Sequence, residues 1–310
     1  MGFLGTRLGG AALLALAALP APAQTGLQPN ACYQPGLTAE QTIETCTALI
    51  RSGGGSPGNR AIAHYNRGLA WIRKGENEHA IEDFSDAIRL NPTDPDFFAD
   101  RGLAYKNKGD LDRAIADYSA AIRMKAGDAR LFNNRGMAWL STGRRERAFV
   151  DFDQALRLDP DYAPALVNRG TAFAEGGDFG RAVVDFDKAV ALDPKDATAL
   201  THRCHARLAL AQAADALADC EAALRLNPAD TNALVGRGMV HLKQAEHDKA
   251  IADFNTVLTR NPAMVGALFL RGVAKLAKGD LAGGGADIAI ARHLEPAIAE
   301  RYGRYGIQQP

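Results

Sequence analysis

A 34-residue period runs through the chain from Ala61 to Ile298 and limits what the chain can fold into. The clearest copy is AIAHYNRGLAWIRKGENEHAIEDFSDAIRLNPTD, residues 61–94. Further copies start at Pro95, Ala129, Ala163, Ala197, Thr231 and Val265. A period of this length predicts a stacked array in which no single unit can bury its own apolar face. Such arrays present a long surface rather than a pocket, so binding is expected before catalysis.

Numbering each copy from 1 to 34 exposes the mechanics. Position 8 is Gly in six copies (Gly68, Gly102, Gly136, Gly170, Gly238, Gly272), and position 20 is Ala in six, from Ala80 to Ala250. Position 24 is aromatic in five: Phe84, Tyr118, Phe152, Phe186 and Phe254. Positions 4, 8 and 11 share one helix face, as do 20, 24 and 27, because they lie three or four residues apart. A Gly near position 15 ends a first helix. Pro at position 32 ends a second, since the residue before Pro avoids the α region. Folding about position 16 brings the small residue at 8 opposite the ring at 24.

This pattern resembles the tetratricopeptide repeat over residues 61–298, in seven copies: 61–94, 95–128, 129–162, 163–196, 197–230, 231–264 and 265–298. The resemblance implies an all-α, right-handed superhelical solenoid whose first helices line a concave groove. Copy 5 departs from the pattern at Cys204, Arg207, Ala211 and Cys220. Copy 7 departs at Gly284 and Ile288, which predicts a loosely packed second helix. Residues 24–60 read as an N-terminal capping segment and linker. Within them Thr38 and Gln41 fit a capping box, opening a helix that aligns with the second helix of a repeat, with Cys46 at position 24. The stretch SGGGSPG, from Ser52 to Gly58, reads as a flexible linker. Residues 299–310 read as a cap and tail, with Ile298, Tyr302 and Tyr305 at helical spacing.

Residues 1–23 read as a secretory signal peptide: Arg7, an apolar run over 8–19, and cleavage near Ala23 after a small-x-small triplet. The expected location is periplasmic or secreted. No stretch reaches membrane-span length. Four cysteines suit an oxidising compartment. Cys204 and Cys220 replace the Gly at 8 and the ring at 24, so the hairpin is expected to bridge them, contributing about 3 kcal/mol in the chain-entropy model. Cys32 and Cys46 are expected to form the second bridge.

Lys+Arg and Asp+Glu balance at 36 each. No basic stripe appears, so nucleic acid is a poor partner. Position 7 is Arg and position 23 is Asp in all seven copies, which predicts a structural ladder. Antiparallel packing suggests position 23 of one copy beside position 7 of the next, Asp83 with Arg101 for example. By resemblance, the partner-binding groove is lined by Tyr65, Asn66, Leu69, Leu103, Asn133, Asn134, Met137, Asn168, Val235, Met239 and Phe269. Its middle offers amides, which both donate to and accept from a peptide backbone. Its C-terminal half is apolar and suits a helix or extended peptide with apolar anchors.

Catalytic signals are absent. There is no G-x-S-x-G, phosphate loop, H-E-x-x-H or CxxC motif, and no cofactor is expected. His202, Cys204 and His205 form an HRCH cluster that lacks further ligands at metal spacing. The sequence therefore predicts a non-catalytic protein–protein interaction scaffold or adaptor of the bacterial cell envelope. The alternatives are a small-ligand or metal-binding carrier or sensor, and a self-assembling scaffold. The partner and the oligomeric state are not set by the sequence.

Overall fold

The computed structural model describes Cys32 and residues 36–53 and 55–309, and the expected signal peptide with its cleavage site lies outside these. The described residues form sixteen helices and no strand. Helix α1 (Ala39–Arg51) precedes seven helical hairpins: α2 (Pro57–Lys74) with α3 (Asn77–Leu90), α4 (Pro95–Lys108) with α5 (Leu111–Met124), α6 (Ala129–Ser141) with α7 (Arg145–Leu158), and α8 (Ala163–Glu175) with α9 (Phe179–Leu192). The series continues with α10 (Ala197–Ala209) and α11 (Ala213–Leu226), α12 (Thr231–Lys243) and α13 (His247–Arg260), α14 (Val265–Ala277) and α15 (Leu281–Leu294), then the short α16 (Ile298–Gly303).

The punctuation of the repeat sets these limits. Five hairpins turn on a left-handed glycine at position 15, and copies 5 and 6 place Ala211 (φ 60°) and Ala245 (φ 59°) in the same conformation. Between hairpins, an Asn or Asp at position 31 accepts the backbone N–H two residues on, as in Asp193 with Lys195 at 2.9 Å and Asn227 with Ala229 at 3.1 Å. An Asp at position 34 then caps the next first helix, as Asp94, Asp128, Asp196 and Asp230 do. One short turn thus closes one hairpin and opens the next.

Helix α2 starts four residues before the repeat boundary. Ser56 accepts the Asn59 N–H at 3.2 Å and Pro57 takes the first helical position, where its missing N–H costs nothing. The linker expected over Ser52–Gly58 is correspondingly shorter.

Glycine at position 8 is required by the ring opposite. A Cβ on Gly68 would lie 2.6 Å from the Phe84 ring, and one on Gly170 would lie 2.7 Å from Phe186. In copy 7 the expectation of loose packing is wrong. With Gly284 at position 20, a Cβ there would lie 2.7 Å from the Gly272 carbonyl, so the two backbones touch where a ring is lacking. In copy 5, Cys204 and Cys220 stand at disulfide distance, their Cα atoms 5.5 Å apart. Helix α12 rests on these sulfurs through Gly236, whose Cβ would lie 2.6 Å from Cys220 Sγ. Cys32 and Cys46 also stand at disulfide distance, with Cα atoms 4.8 Å apart.

The Arg–Asp ladder exists, but its pairs lie within copies rather than between them. Arg67 Nε and Nη2 donate to Asp83 at 2.8 and 2.7 Å, and Arg135 reaches Asp151 in the same bidentate way. Folding about position 16 places 7 opposite 23 by the same geometry that places 8 opposite 24. The remaining nitrogen, Nη1, reaches position 25 of the preceding copy: Arg101 to Ser85, Arg135 to Ser119, Arg169 to Asp153, Arg203 to Asp187. Arg67 makes this same contact to Thr47 of α1 at 2.9 Å, so α1 serves as the second helix of a missing hairpin. The aspartates are buried, with Asp83, Asp151 and Asp185 each 3% exposed. Removing one would strand its arginine, a loss of about 3–5 kcal/mol rather than that of a surface pair.

Candidate functional site

The first helices place positions 2, 5, 6, 9 and 12 on one continuous face. In copies 1–4 this face is polar and cross-linked between neighbours. Position 5 of one copy meets position 6 of the next: Tyr65 Oη donates to Asp100 Oδ2 at 2.6 Å, and Asn168 Nδ2 donates to Asn133 Oδ1 at 2.8 Å. At position 2, Arg130 pairs with Asp96 at 2.6 Å. Burial raises the Asp100 carboxyl above its ordinary range. Burial and the neighbouring Asp100 raise the Tyr65 phenol far more, so Tyr65 remains the donor. Tyr65, Leu69, Leu103, Asn134, Met137 and Asn168 are all partly exposed along this strip, while Asn66 and Asn133 are buried.

In copies 6 and 7 the face is apolar and already covered, whereas copy 5 presents Thr201, His202 and His205. Val235, Met239 and Phe269, expected as groove residues, are buried at 4%, 1% and 0% exposure. They share one apolar cluster with Tyr302, Tyr305 and Ile307, from the segment that follows the last repeat. Tyr302 stacks on Phe269, with ring centroids 5.8 Å apart. It fits because position 2 of copy 7 is glycine: a Cβ on Gly266 would lie 2.1 Å from Tyr302 Oη. Tyr305 lies against Phe179 and His205, with centroids at 6.1 and 6.3 Å, and its carbonyl accepts from Lys243 Nζ at 2.9 Å. Tyr302 and Tyr305 were legible as cap residues. Their path into the groove was not, because it depends on Gly266 and Lys243 from other copies.

Where the two parts meet there is a cavity of about 490 Å³. Thr171, Thr201, His202, His205, Arg304 and Tyr305 are among its walls. His205 Nε2 donates to the Asn232 carbonyl at 3.0 Å, leaving Nδ1 as an acceptor. Burial lowers the pKa of both His202 and His205, so both rings are neutral at pH 7. Cys204, between them in sequence, faces the hairpin partner Cys220 instead. Among the described residues no group of three or more His, Cys, Asp or Glu side chains is placed to hold a metal ion.

A family model described as "Tetratricopeptide repeat" matches residues 99–163, 151–197, 204–263 and 235–297, and a second, "TPR repeat", matches residues 68–109. The chain is a tetratricopeptide-repeat protein. A search of curated protein sequences finds no match. Among solved structures, this tetratricopeptide-repeat chain is similar to a repeat protein of Parabacteroides merdae ATCC 43184, with TM-score 0.61 and 20% identity over 79% of this chain and 98% of that one. It is also similar to PilW, described as a type IV pilus biogenesis factor, with TM-score 0.59 and 19% identity over 66% and 94% of the two chains. A third is YrrB, described as having an unusual peptide-binding site, with TM-score 0.50 and 20% identity over 61% and 97%. These likenesses are of fold.

Tetratricopeptide-repeat proteins bind protein partners, and no catalytic family matches this one. No described helix is long and apolar enough to cross a membrane.

Proposed function

We propose that this tetratricopeptide-repeat protein is a non-catalytic adaptor of the cell envelope that holds a peptide or helix of a partner protein along the concave face of copies 1–5. The observation that supports this reading most is the open strip of Tyr65, Leu103, Asn134, Met137 and Asn168, which leads into the cavity beside His202. Interrepeat hydrogen bonds hold Tyr65 and Asn168 in place, so a partner meets a partly preorganised surface. Amides supply paired donors and acceptors for a backbone, and Leu103 and Met137 supply apolar contact. Export by the N-terminal segment and oxidation of both cysteine pairs complete the reading.

Photo-crosslinking residues placed one at a time at Leu103 and Met137 on the concave side, and at Val150 on the convex side, test it in the native envelope. The reading expects one defined partner from the concave positions and none from Val150. Equal capture from both faces sinks it. A small-ligand carrier is the second reading, favoured by the cavity between copies 4 and 6. A bound molecule retained in native mass measurement would support it.

A further inference from the structure

The cavity of about 490 Å³ where copies 4, 5 and 6 meet the C-terminal segment carries opposite charges on its walls. We propose that it is a binding site for a small dipolar organic molecule, in which an amine and a carboxylate are joined by an apolar spacer. Arg304 takes the carboxylate, and Glu175 with His202 takes the ammonium. This deepens the small-ligand reading and rests on it; it does not depend on the adaptor reading.

The cationic wall is Arg304. Its guanidinium lies over the Tyr305 ring, 5.1 Å from the centroid, and pairs with no carboxylate among the described residues. Such a guanidinium can hold a ligand carboxylate through two parallel N–H bonds. The anionic wall is Glu175, the last residue of α8. Its ion pair with Arg145 is long, at 3.8 Å, so its carboxylate is free to take a closer partner. Asp230 is already committed, since its oxygens accept from Thr201 and from the Asn232 and Ala233 N–H groups. It adds negative field rather than a contact.

The two histidines record how these charges are separated. Burial keeps both neutral. Beyond burial, Asp196, Asp230 and Glu175 favour charge on His202, whereas Arg304 opposes charge on His205 and Asp230 acts on both. The rings stand three residues apart on α10, which sets their Cβ atoms about 5–6 Å apart. The two charges of a ligand must therefore lie several bonds apart. His202 stacks on Phe186 and makes no hydrogen bond among the described residues, so its neutral ring can accept from an ammonium. The remaining wall includes Ala174, Phe179, Ala206 and Tyr305, which suit an apolar spacer. The volume is within the range of small-molecule sites, about 300–1,000 Å³. A simple anion would meet Glu175 and Asp230, and a simple amine would meet Arg304. A molecule carrying both charges satisfies both walls.

Isothermal titration of the full chain with 6-aminohexanoate tests this against three controls. Hexanoate and hexylamine each carry one of its charges, and leucine carries the same atoms with both charges on one carbon. The proposal expects 6-aminohexanoate to bind about tenfold tighter than any control. Arg304→Gln should cost it about tenfold and leave hexylamine unchanged, and Glu175→Gln should cost as much and leave hexanoate unchanged. Both residues are exposed, so neither change threatens the fold. A control that binds as tightly as 6-aminohexanoate overturns the proposal, as does the absence of binding by all four. Equal losses for every probe in both variants also overturn it, because they mark a structural role. A different molecule retained in native mass measurement, with 6-aminohexanoate silent, refutes this inference and leaves the small-ligand reading standing. Crosslinking at Leu103 and Met137 reports on the adaptor reading separately.

Discussion

The concave face of copies 1–4 and that of copies 6 and 7 stand on the same hairpin ladder but differ in chemistry and in occupancy. The first is hydrogen-bonded between neighbours and open, with Tyr65–Asp100 and Asn133–Asn168 as cross-links. The second carries Val235, Met239 and Phe269 and is filled by the chain's own tyrosines. The hairpins differ in parallel. Copies 1–4 use the glycine–ring contact throughout, whereas copy 5 uses two cysteines and copy 7 uses touching backbones. An apolar groove left bare would be an exposed patch of the kind that drives association. The molecule covers the apolar half and leaves the polar half to water, so surface chemistry decides which half needs an internal occupant.

The largest expected effect comes from breaking that cover. Tyr302→Ala removes a ring that is 7% exposed and stacked on Phe269, at a cost of about 3 kcal/mol or more. Repeat arrays are stabilised by nearest-neighbour contacts, so the loss should stay local. Hydrogen exchange read segment by segment should speed up in α12–α15 and leave α2–α5 unchanged. Uniform acceleration along the chain would show that the two halves are one cooperative unit and would end the comparison.

Reduction of the cysteines comes next. Each pair sits at disulfide distance, and closing the 16-residue separation of Cys204 and Cys220 contributes about 3 kcal/mol in the chain-entropy model. Reductant should loosen copy 5 and the α1–α2 edge, where Cys32 meets Cys46, and spare copies 2–4. A thiol assay on the unreduced, denatured protein should find no free thiol. Four reactive thiols would show that neither bridge forms.

Acidification distinguishes the halves more gently. His202 and His205 have pKa values lowered by burial. The unfolded chain then binds more protons than the folded one once pH drops below about 6.5, so stability falls as pH falls from there toward the folded values. Asp196, Asp230 and Glu175 face His202 and favour its charge, whereas Arg304 opposes charge on His205. Between pH 7 and 5 the C-terminal half should lose exchange protection, and His202→Asn with His205→Asn should flatten that response. An equal response in copies 1–3 would assign it elsewhere.

The fold was legible because its determinants recur. Gly at 8, the ring at 24 and Pro at 32 each have a local steric cause, and repetition made them visible. Copy 5's cysteines were legible by substitution, since they replace two residues known to face each other. The Arg–Asp pairs lie within a copy because the hairpin's 16-residue offset sets position 7 opposite position 23, ahead of packing between neighbouring copies. The start of α2 at Pro57 is written in Ser56-Pro57, a cap followed by a first helical residue, but the surrounding glycines mask it. The division of the groove was not legible. It depends on where residues 304–307 travel after α16, and that path is set by Gly266, Phe179 and Lys243, which lie far apart in sequence.

The smallest effect tests why the two halves differ at their turns. Ala211 and Ala245 adopt the left-handed conformation that glycine fills at position 15 of the other five copies. A Cβ in that conformation crowds the following carbonyl, at about 1 kcal/mol per residue. Glycine relieves that strain but gives the unfolded chain more freedom, which offsets part of the gain. Ala211→Gly and Ala245→Gly should therefore each stabilise the C-terminal half by about 0.5 kcal/mol, and by about twice that together, since the two turns lie in separate hairpins. The reverse change, Gly109→Ala, moves the strain into the other half and should destabilise copy 2 by about 1 kcal/mol. Urea unfolding of all three variants reads the signs directly. If the glycine variants are less stable than the parent, unfolded-state freedom outweighs the turn strain, and the alanines serve the fold of copies 5 and 6.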